Sequence, residues 1–110
     1  MHRANIGELE ELVLLLVAML NGSAYGVLVK NELKSQANRS INISAIHAAL
    51  RRLEAKGLVK SDWSEATAER GGRRKRLFTI TAAGDEVLRN VMDVRVKIWN
   101  QIPGYLPKFA

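Results

Sequence analysis

Glu69-Arg70-Gly71-Gly72-Arg73-Arg74-Lys75-Arg76 is the stretch around which the chain organises itself. Its five basic residues fall within the seven positions from Arg70 to Arg76, around a Gly-Gly pair. Strand-like runs flank it, Leu58-Val59-Lys60-Ser61-Asp62-Trp63 before and Arg76-Leu77-Phe78-Thr79-Ile80-Thr81 after. Two such runs about a glycine pair predict an antiparallel hairpin with a flexible, positively charged tip. A finger of that kind suits a phosphate backbone.

Helical periodicity precedes the hairpin. Leu9, Leu12, Val13, Leu16, Val17 and Leu20 recur at helical spacing and predict a first helix over Glu8–Leu20. Its first-turn glutamates suit the positive end of the helix dipole, and Asn21-Gly22 stops it. Ser23 is a candidate N-cap for a second helix, Ala24–Ser35, with Tyr25, Leu28, Val29 and Leu33 inward. After a polar connection, a third helix is expected over Ser44–Lys56, capped by Asn42 or Ser44 and stopped by Gly57. Ile46, Ala49, Leu50 and Leu53 form its narrow apolar stripe. Beyond the hairpin, Thr81 is expected to cap a long last helix, Ala82–Ile102, ended by Pro103-Gly104.

The predicted fold class is therefore mainly α with a small antiparallel β-hairpin: a winged helix-turn-helix plus one long C-terminal helix. Residues 1–81 would form the DNA-binding domain and 82–110 the dimerisation helix and tail.

Charge locates a partner. Ten Lys/Arg and four Asp/Glu lie between Arg39 and Arg76, whereas the remainder holds seven of each. The whole excess of +6 thus sits in the middle third. A solubility charge would be spread; a concentrated one points to an anionic partner. The chain has no cysteine, which excludes disulfides, thiolate metal sites and thiol catalysis and suits a reducing cytoplasm. Its longest apolar run, Leu12–Leu20, is nine residues, against about 20 for a membrane span. Glu8, Glu10 and Glu11 stand where a signal peptide would carry positive charge.

Opposite the stripe of the third helix lie Ser44, His47, Ala48, Arg51, Arg52 and Ala55, with Ala45 in the first turn. Small residues let a backbone approach base edges in a major groove about 12 Å wide. His47 and Arg51 then reach donors and acceptors, most simply Arg51 to guanine, while Arg52 suits a phosphate. Asn42, Arg70, Gly71, Gly72, Arg73, Arg74, Lys75 and Arg76 complete the candidate DNA surface. An exposed helix face also carries Arg and Ala merely as helix formers, and a basic turn is often only solvated. Helix and hairpin together, holding the entire charge excess, favour nucleic acid.

The ordered motifs resemble the PadR family of transcriptional regulators. The matching pieces are Leu9-Glu10-Glu11-Leu12-Val13-Leu14-Leu15, Ala24-Tyr25-Gly26, Ile46-His47-Ala48-Ala49-Leu50-Arg51-Arg52-Leu53-Glu54-Ala55-Lys56-Gly57-Leu58-Val59, Trp63, Gly71-Gly72-Arg73-Arg74-Lys75 and Thr79-Ile80-Thr81-Ala82-Ala83-Gly84. The resemblance spans about residues 6 to 100. It implies a bacterial DNA-binding repressor, usually dimeric, often released by a small molecule, and a phosphate role for Tyr25. The competing reading of Tyr25 is a half-buried aromatic packed on the third helix. His47 departs from the family's usual Tyr. With a single helix after the wing, the chain is similar to the subgroup with a small C-terminal element.

The last helix carries Val87, Leu88, Val91, Met92, Val94, Ile98, Trp99 and Ile102, more than one narrow stripe. One seam runs 87, 91, 94, 98 and another 88, 92, 99, 102. A helix of about 21 residues is about 31 Å long, comparable to the body it would have to wrap. Each large apolar side chain left wet forfeits about 1.5–3 kcal/mol. A homodimer through this helix is the simplest cure. Met92, Trp99 and Trp63 are candidates for a pocket taking a small planar apolar effector, in line with what the resemblance implies; interface core and wing packing are the alternatives.

Nothing points to catalysis, a metal or a cofactor. His2 and His47 are the only histidines, and no HExxH, GxSxG or Walker loop occurs. A non-specific DNA or RNA binder would show aromatic stacking platforms, but aromatics make up 5% and none stands on the recognition face or wing tip. A winged helix serving only protein contacts is the remaining alternative, and the basic wing argues against it.

Overall fold

The computed structural model describes residues 6–64 and 74–104. The elements follow in the order α1 (Glu8–Leu20), α2 (Gly26–Ala37), α3 (Ile43–Ala55), β1 (Val59–Trp63), β2 (Arg76–Ile80) and α4 (Ala82–Trp99). β1 and β2 form an antiparallel pair with Val59 opposite Ile80 and Trp63 opposite Arg76. Ser64 and Lys75 extend the pairing by one further step, N–H to carbonyl at 2.7 Å. Three helices and a two-stranded wing make the expected winged helix-turn-helix.

The core lies where the apolar stripes of the helices converge. Val13, Leu14 and Val17 of α1, Val29 and Leu33 of α2, and Ile46, Ala49, Leu50 and Leu53 of α3 are all buried. Leu58, Val59 and Phe78 carry the base of the wing into the same core. Caps and stops follow local chemistry. The Asn42 side chain accepts the Ala45 N–H at 2.9 Å, so Asn42 rather than Ser44 caps α3. Gly57, at φ +75°, ends that helix, with the Leu58 N–H reaching back to the Leu53 carbonyl at 2.9 Å. Thr81 caps α4 through the Gly84 N–H and donates its own hydroxyl to the Gly57 carbonyl.

Three boundaries differ from the sequence reading by more than one residue. α2 begins two residues later than expected, because the Ala24 carbonyl accepts the Phe78 N–H at 2.7 Å and Ala24 forms an isolated bridge to β2. Ser23 accordingly does not cap α2; its hydroxyl donates to the Leu20 carbonyl at the end of α1. α2 also runs on to Ala37 and is closed by Asn38 at φ +53°. α4 stops at Trp99, three residues short of Ile102. Pro103 has no N–H to offer the Trp99 carbonyl and disfavours helical geometry just before it. The chain tightens instead, with Gln101 and Ile102 donating to Ile98 and Trp99.

One ion-pair cluster joins α1 to α3. Glu10, nearly buried, accepts from the Lys56 ammonium at 2.7 Å and lies 3.5 Å from Arg52. Burial pushes the Glu10 carboxyl up, but the Lys56 hydrogen bond and charge, the Gly7 backbone and Arg52 together outweigh it and hold Glu10 below its ordinary value.

Glu10 and Gly84 put the packing to the test. A depressed carboxyl stabilises the folded state above its unfolded pKa and loses that contribution as pH falls through the folded pKa. Glu10→Gln should therefore flatten the acid limb of stability against pH, below about 4.5, in urea titrations across pH, while wild type keeps it. At Gly84 an added Cβ would overlap the Leu58 carbonyl oxygen and crowd Ile80. Gly84→Ala should cost about 1–3 kcal/mol in thermal unfolding, the range for overpacking.

Candidate nucleic-acid interface

Burial fixes the rotation of α3. With Ile46, Ala49, Leu50 and Leu53 turned into the core, Ser44, His47, Arg51, Arg52 and Ala55 are exposed and Ala45 and Ala48 half-buried. His47, Arg51 and Glu54 follow one another along one edge of this face, at spacings of four and three. That edge looks across to the wing. In the wing, Ser61, Trp63, Arg76 and Phe78 share the face turned toward α3, since alternate residues of a strand point the same way.

Between them lies an open cleft of about 560 Å³, lined by Tyr25, Gly26 and Val27 of the α2 entry, His47, Arg51 and Glu54 of α3, and Trp63, Lys75, Arg76 and Phe78 of the wing. Among the described residues of the lining, His47, Arg51, Lys75 and Arg76 thus surround one carboxylate, Glu54. The Lys75 ammonium sits 4.2 Å from the centre of the Tyr25 ring, and the Arg76 guanidinium 5.4 Å from that of Trp63. Tyr25 is half-buried at the N-cap position of α2. Gly26 comes so close to His47 that a Cβ there would stand 2.5 Å from His47 Cε1. The imidazole is laid directly on the first residue of α2.

The candidate residues divide by their partners. Among the described residues, Arg51 and Arg74 make no ion pair and the Lys75 ammonium meets only the Tyr25 ring. Arg52 lies against Glu10, and Arg76 is 3.8 Å from Glu54. Asn42 is occupied as a cap, with the Ser44 hydroxyl donating to it at 2.8 Å. Arg70, Gly71, Gly72 and Arg73 lie outside the described residues. Glu10, Gly26, Glu54 and Ser61 were not among the candidate site residues read from sequence. Glu54 had one signal available: it is the only acid in α3, one turn beyond Arg51.

The α4 residues separate along the helix rather than around it. Leu88, expected at an interface, is buried in the chain's own core, with Val87 packed against that core. Val91 and Met92 are half-buried, whereas Val94, Ile98 and Trp99 are exposed, Trp99 by 72%. Ile102, also exposed, stands in the turn beyond the helix. α4 starts on the Leu58–Ile80 base of the wing and meets α1 again through an Arg95–Glu11 ion pair at 3.1 Å. Trp63 lies in the cleft beside α3; Met92 and Trp99 do not line it. No described helix is long and apolar enough to cross a membrane, and the described residues hold no cluster of His, Cys, Asp and Glu suited to a metal.

Comparison with known proteins agrees with this geometry. The transcriptional regulator PadR-like family profile matches residues 14–90. No curated protein gives a significant match. Among solved structures, the fold is similar to a PadR-like transcription factor from Bacteroides fragilis, with 21% identity, 86% of this chain and 85% of that one covered, and a TM-score of 0.71. A PadR-family regulator from Eggerthella lenta is similar at 27% identity, covering 86% and 82%, with a TM-score of 0.64. Bacillus subtilis PadR, solved in complex with operator DNA, is similar at 18% identity over 93% of this chain and 52% of that one, with a TM-score of 0.63. The profile match covers most of the described winged helix-turn-helix, and this chain belongs to the PadR-like family of transcriptional regulators.

Proposed function

We propose that the protein is a cytoplasmic, sequence-specific regulator of double-stranded DNA that works as a homodimer, represses its target, and is released by a small planar apolar effector. The observation that carries the DNA reading is the shared cleft: His47 and Arg51 of α3 and Lys75 and Arg76 of the wing converge on one face. A helix with small residues in its first turns enters the major groove, and a basic wing beside it lies along the flanking phosphates. Arg51, which pairs with no carboxylate among the described residues, is available to guanine. Arg74 and Lys75 are available to the backbone. Bacillus subtilis PadR was solved on operator DNA, and the same use of the fold is proposed here.

The dimer reading rests on α4. Val94, Val96, Ile98 and Trp99 are more than half exposed over a short span of helix, and Met19 of α1 is half exposed. Leu12, Leu15, Leu16 and Met19 of α1 and Leu33 of α2 line an apolar groove of about 320 Å³. A second copy's α4 would cover its own counterpart and this side of α1, and would set two recognition helices about 34 Å apart on a pseudo-palindrome. Residues 82–110 thus serve assembly and 1–81 DNA. Met92 and Trp99, seven residues apart on one α4 face, are the proposed effector contacts at that interface.

Binding to the intergenic duplex upstream of its own gene, compared with random duplex at several salt concentrations, tests the DNA reading. Operator preference should reach roughly 10³ or more. Arg74→Ala with Lys75→Ala should weaken binding to every sequence and flatten the salt slope by about 0.9 for each phosphate no longer neutralised. Arg51→Ala should leave that slope closer to wild type and lose about 1–3 kcal/mol of discrimination at one base position. Identical behaviour of the two variants would refute the division between reading and anchoring. Sedimentation at micromolar concentration should give a dimer, and Ile98→Glu with Trp99→Glu a folded monomer; a wild-type monomer would defeat the assembly proposed for α4.

A further inference from the structure

We infer that Glu54 is a positioning residue that sets the lean of the wing against the recognition helix, through Ser61 and Arg76, and thereby tunes operator preference. The inference rests on the DNA reading proposed above. Glu54 Oε2 accepts the Ser61 hydroxyl at 2.6 Å. The same Ser61 oxygen accepts the Arg76 Nε–H at 3.0 Å. Arg76 Nη2 closes the circuit 3.8 Å from Glu54 Oε1 while its guanidinium lies over the Trp63 ring. One hydroxyl therefore donates to a residue of α3 and accepts from β2, which polarises both bonds in the same sense.

This circuit is not needed to form the hairpin. Backbone pairing runs from Val59–Ile80 to Trp63–Arg76, and Leu58, Val59 and Phe78 already anchor the base of the wing in the core. Ser61 stands opposite Phe78 at the edge of that base, and Arg76 lies two residues farther out along β2, where buried contacts thin. Glu54 and Arg76 retain 35% and 48% of their side-chain exposure, so the ion pair itself adds little to stability. What it supplies is direction. The wing's other route to α3 is across the open cleft, and Arg51, one turn before Glu54, faces that cleft. A wing free to lean would still find phosphates, but no longer in register with Arg51 on the base edges. The circuit also holds Arg76 on a carboxylate, which separates it from Arg74 and Lys75 as a backbone contact.

Glu54→Ala and Ser61→Ala break the circuit at different residues, and Ser61→Thr keeps the hydroxyl. Both breaking variants should lower the operator-to-random affinity ratio roughly five-fold or more, in the range by which residues outside a contact modulate coupling. Random-duplex affinity should stay level or rise as Arg76 is released, the melting temperature should change little, and Ser61→Thr should restore the ratio. In nitrogen–proton NMR spectra of the unbound protein, the Arg76 Nε–H signal should exchange faster in the two breaking variants, a readout independent of DNA. A ratio within two-fold of wild type, with Arg76 released, would overturn the positioning role. Equal binding of operator and random duplex by wild type would instead overturn the regulator reading, and the positioning role with it, even with the Arg76 signal protected.

Discussion

Ile46, Ala49, Leu50 and Leu53 have no measurable contact with water, and that constraint orders the rest of the molecule. Four apolar side chains on one narrow stripe leave α3 a single rotation about its axis. Rotation by one residue would wet at least one of them, at about 1.5–3 kcal/mol each. The face presented outward is then determined without any contribution from the outward residues. Ser44, His47, Arg51 and Ala55 are exposed because their neighbours cannot be. Carboxylates from opposite sides hold the C-terminal half of α3: Glu10 of α1 draws Arg52 and Lys56 inward, and Glu54 reaches out to the wing.

The basic surplus is less uniform than its concentration in the sequence implies. Arg52, Lys56 and Arg76 each stand near a carboxylate, and Arg39 pairs with Glu8 at 2.9 Å. These cations order α1, α3 and the wing relative to one another. Arg51, Arg74 and Lys75 have no such claim on them among the described residues, and they surround the open side of the cleft or adjoin it. Fixed cations shape the frame, and uncommitted ones face whatever anion approaches. A field built this way is screened over about 8–10 Å at cellular salt, so it acts at contact range along one face rather than over the whole surface.

Local, periodic features were legible in the sequence. The α3 stripe, the Thr81 cap, the Gly57 stop and the two wing strands each have a short-range signature, and the order of elements follows from them. The features that were not legible are those made by single long-range contacts. The Ala24–Phe78 bridge is one residue long and has no period, yet it delays α2 by two residues. Asn38 closes α2 in the left-handed region without the glycine that usually marks such a stop. Lys56 meets Glu10 across 46 positions, so no spacing rule announces that pair. For the site, His47 and Arg51 were readable on the polar face of α3, whereas Glu54 beside them was not. Which arginines keep their charge for a ligand was not, because that depends on where Glu10 and Glu54 arrive in space.

The burial gradient along α4 is the remaining consequence of how the elements are joined. Thr81 ties the helix start to Gly57, and Gly84 allows it to touch the Leu58 backbone, so α4 is pinned at the base of the wing. A straight helix pinned at one end follows a globular body only while that body lasts. Over Gly84, Val87 and Leu88 it does, and the side chains are buried or packed on the core. From Val94 onward the apolar packing gives way to the Arg95–Glu11 ion pair, and Val94, Val96, Ile98 and Trp99 stand exposed around the helix. Bending α4 back would break its own hydrogen bonds, and these residues show no proline or glycine to permit a kink. The sequence nevertheless keeps large apolar residues there, interleaved with Asp93, Arg95 and Lys97. In the assembly proposed above a symmetric copy covers them, because it supplies an equally exposed surface at no further requirement on sequence.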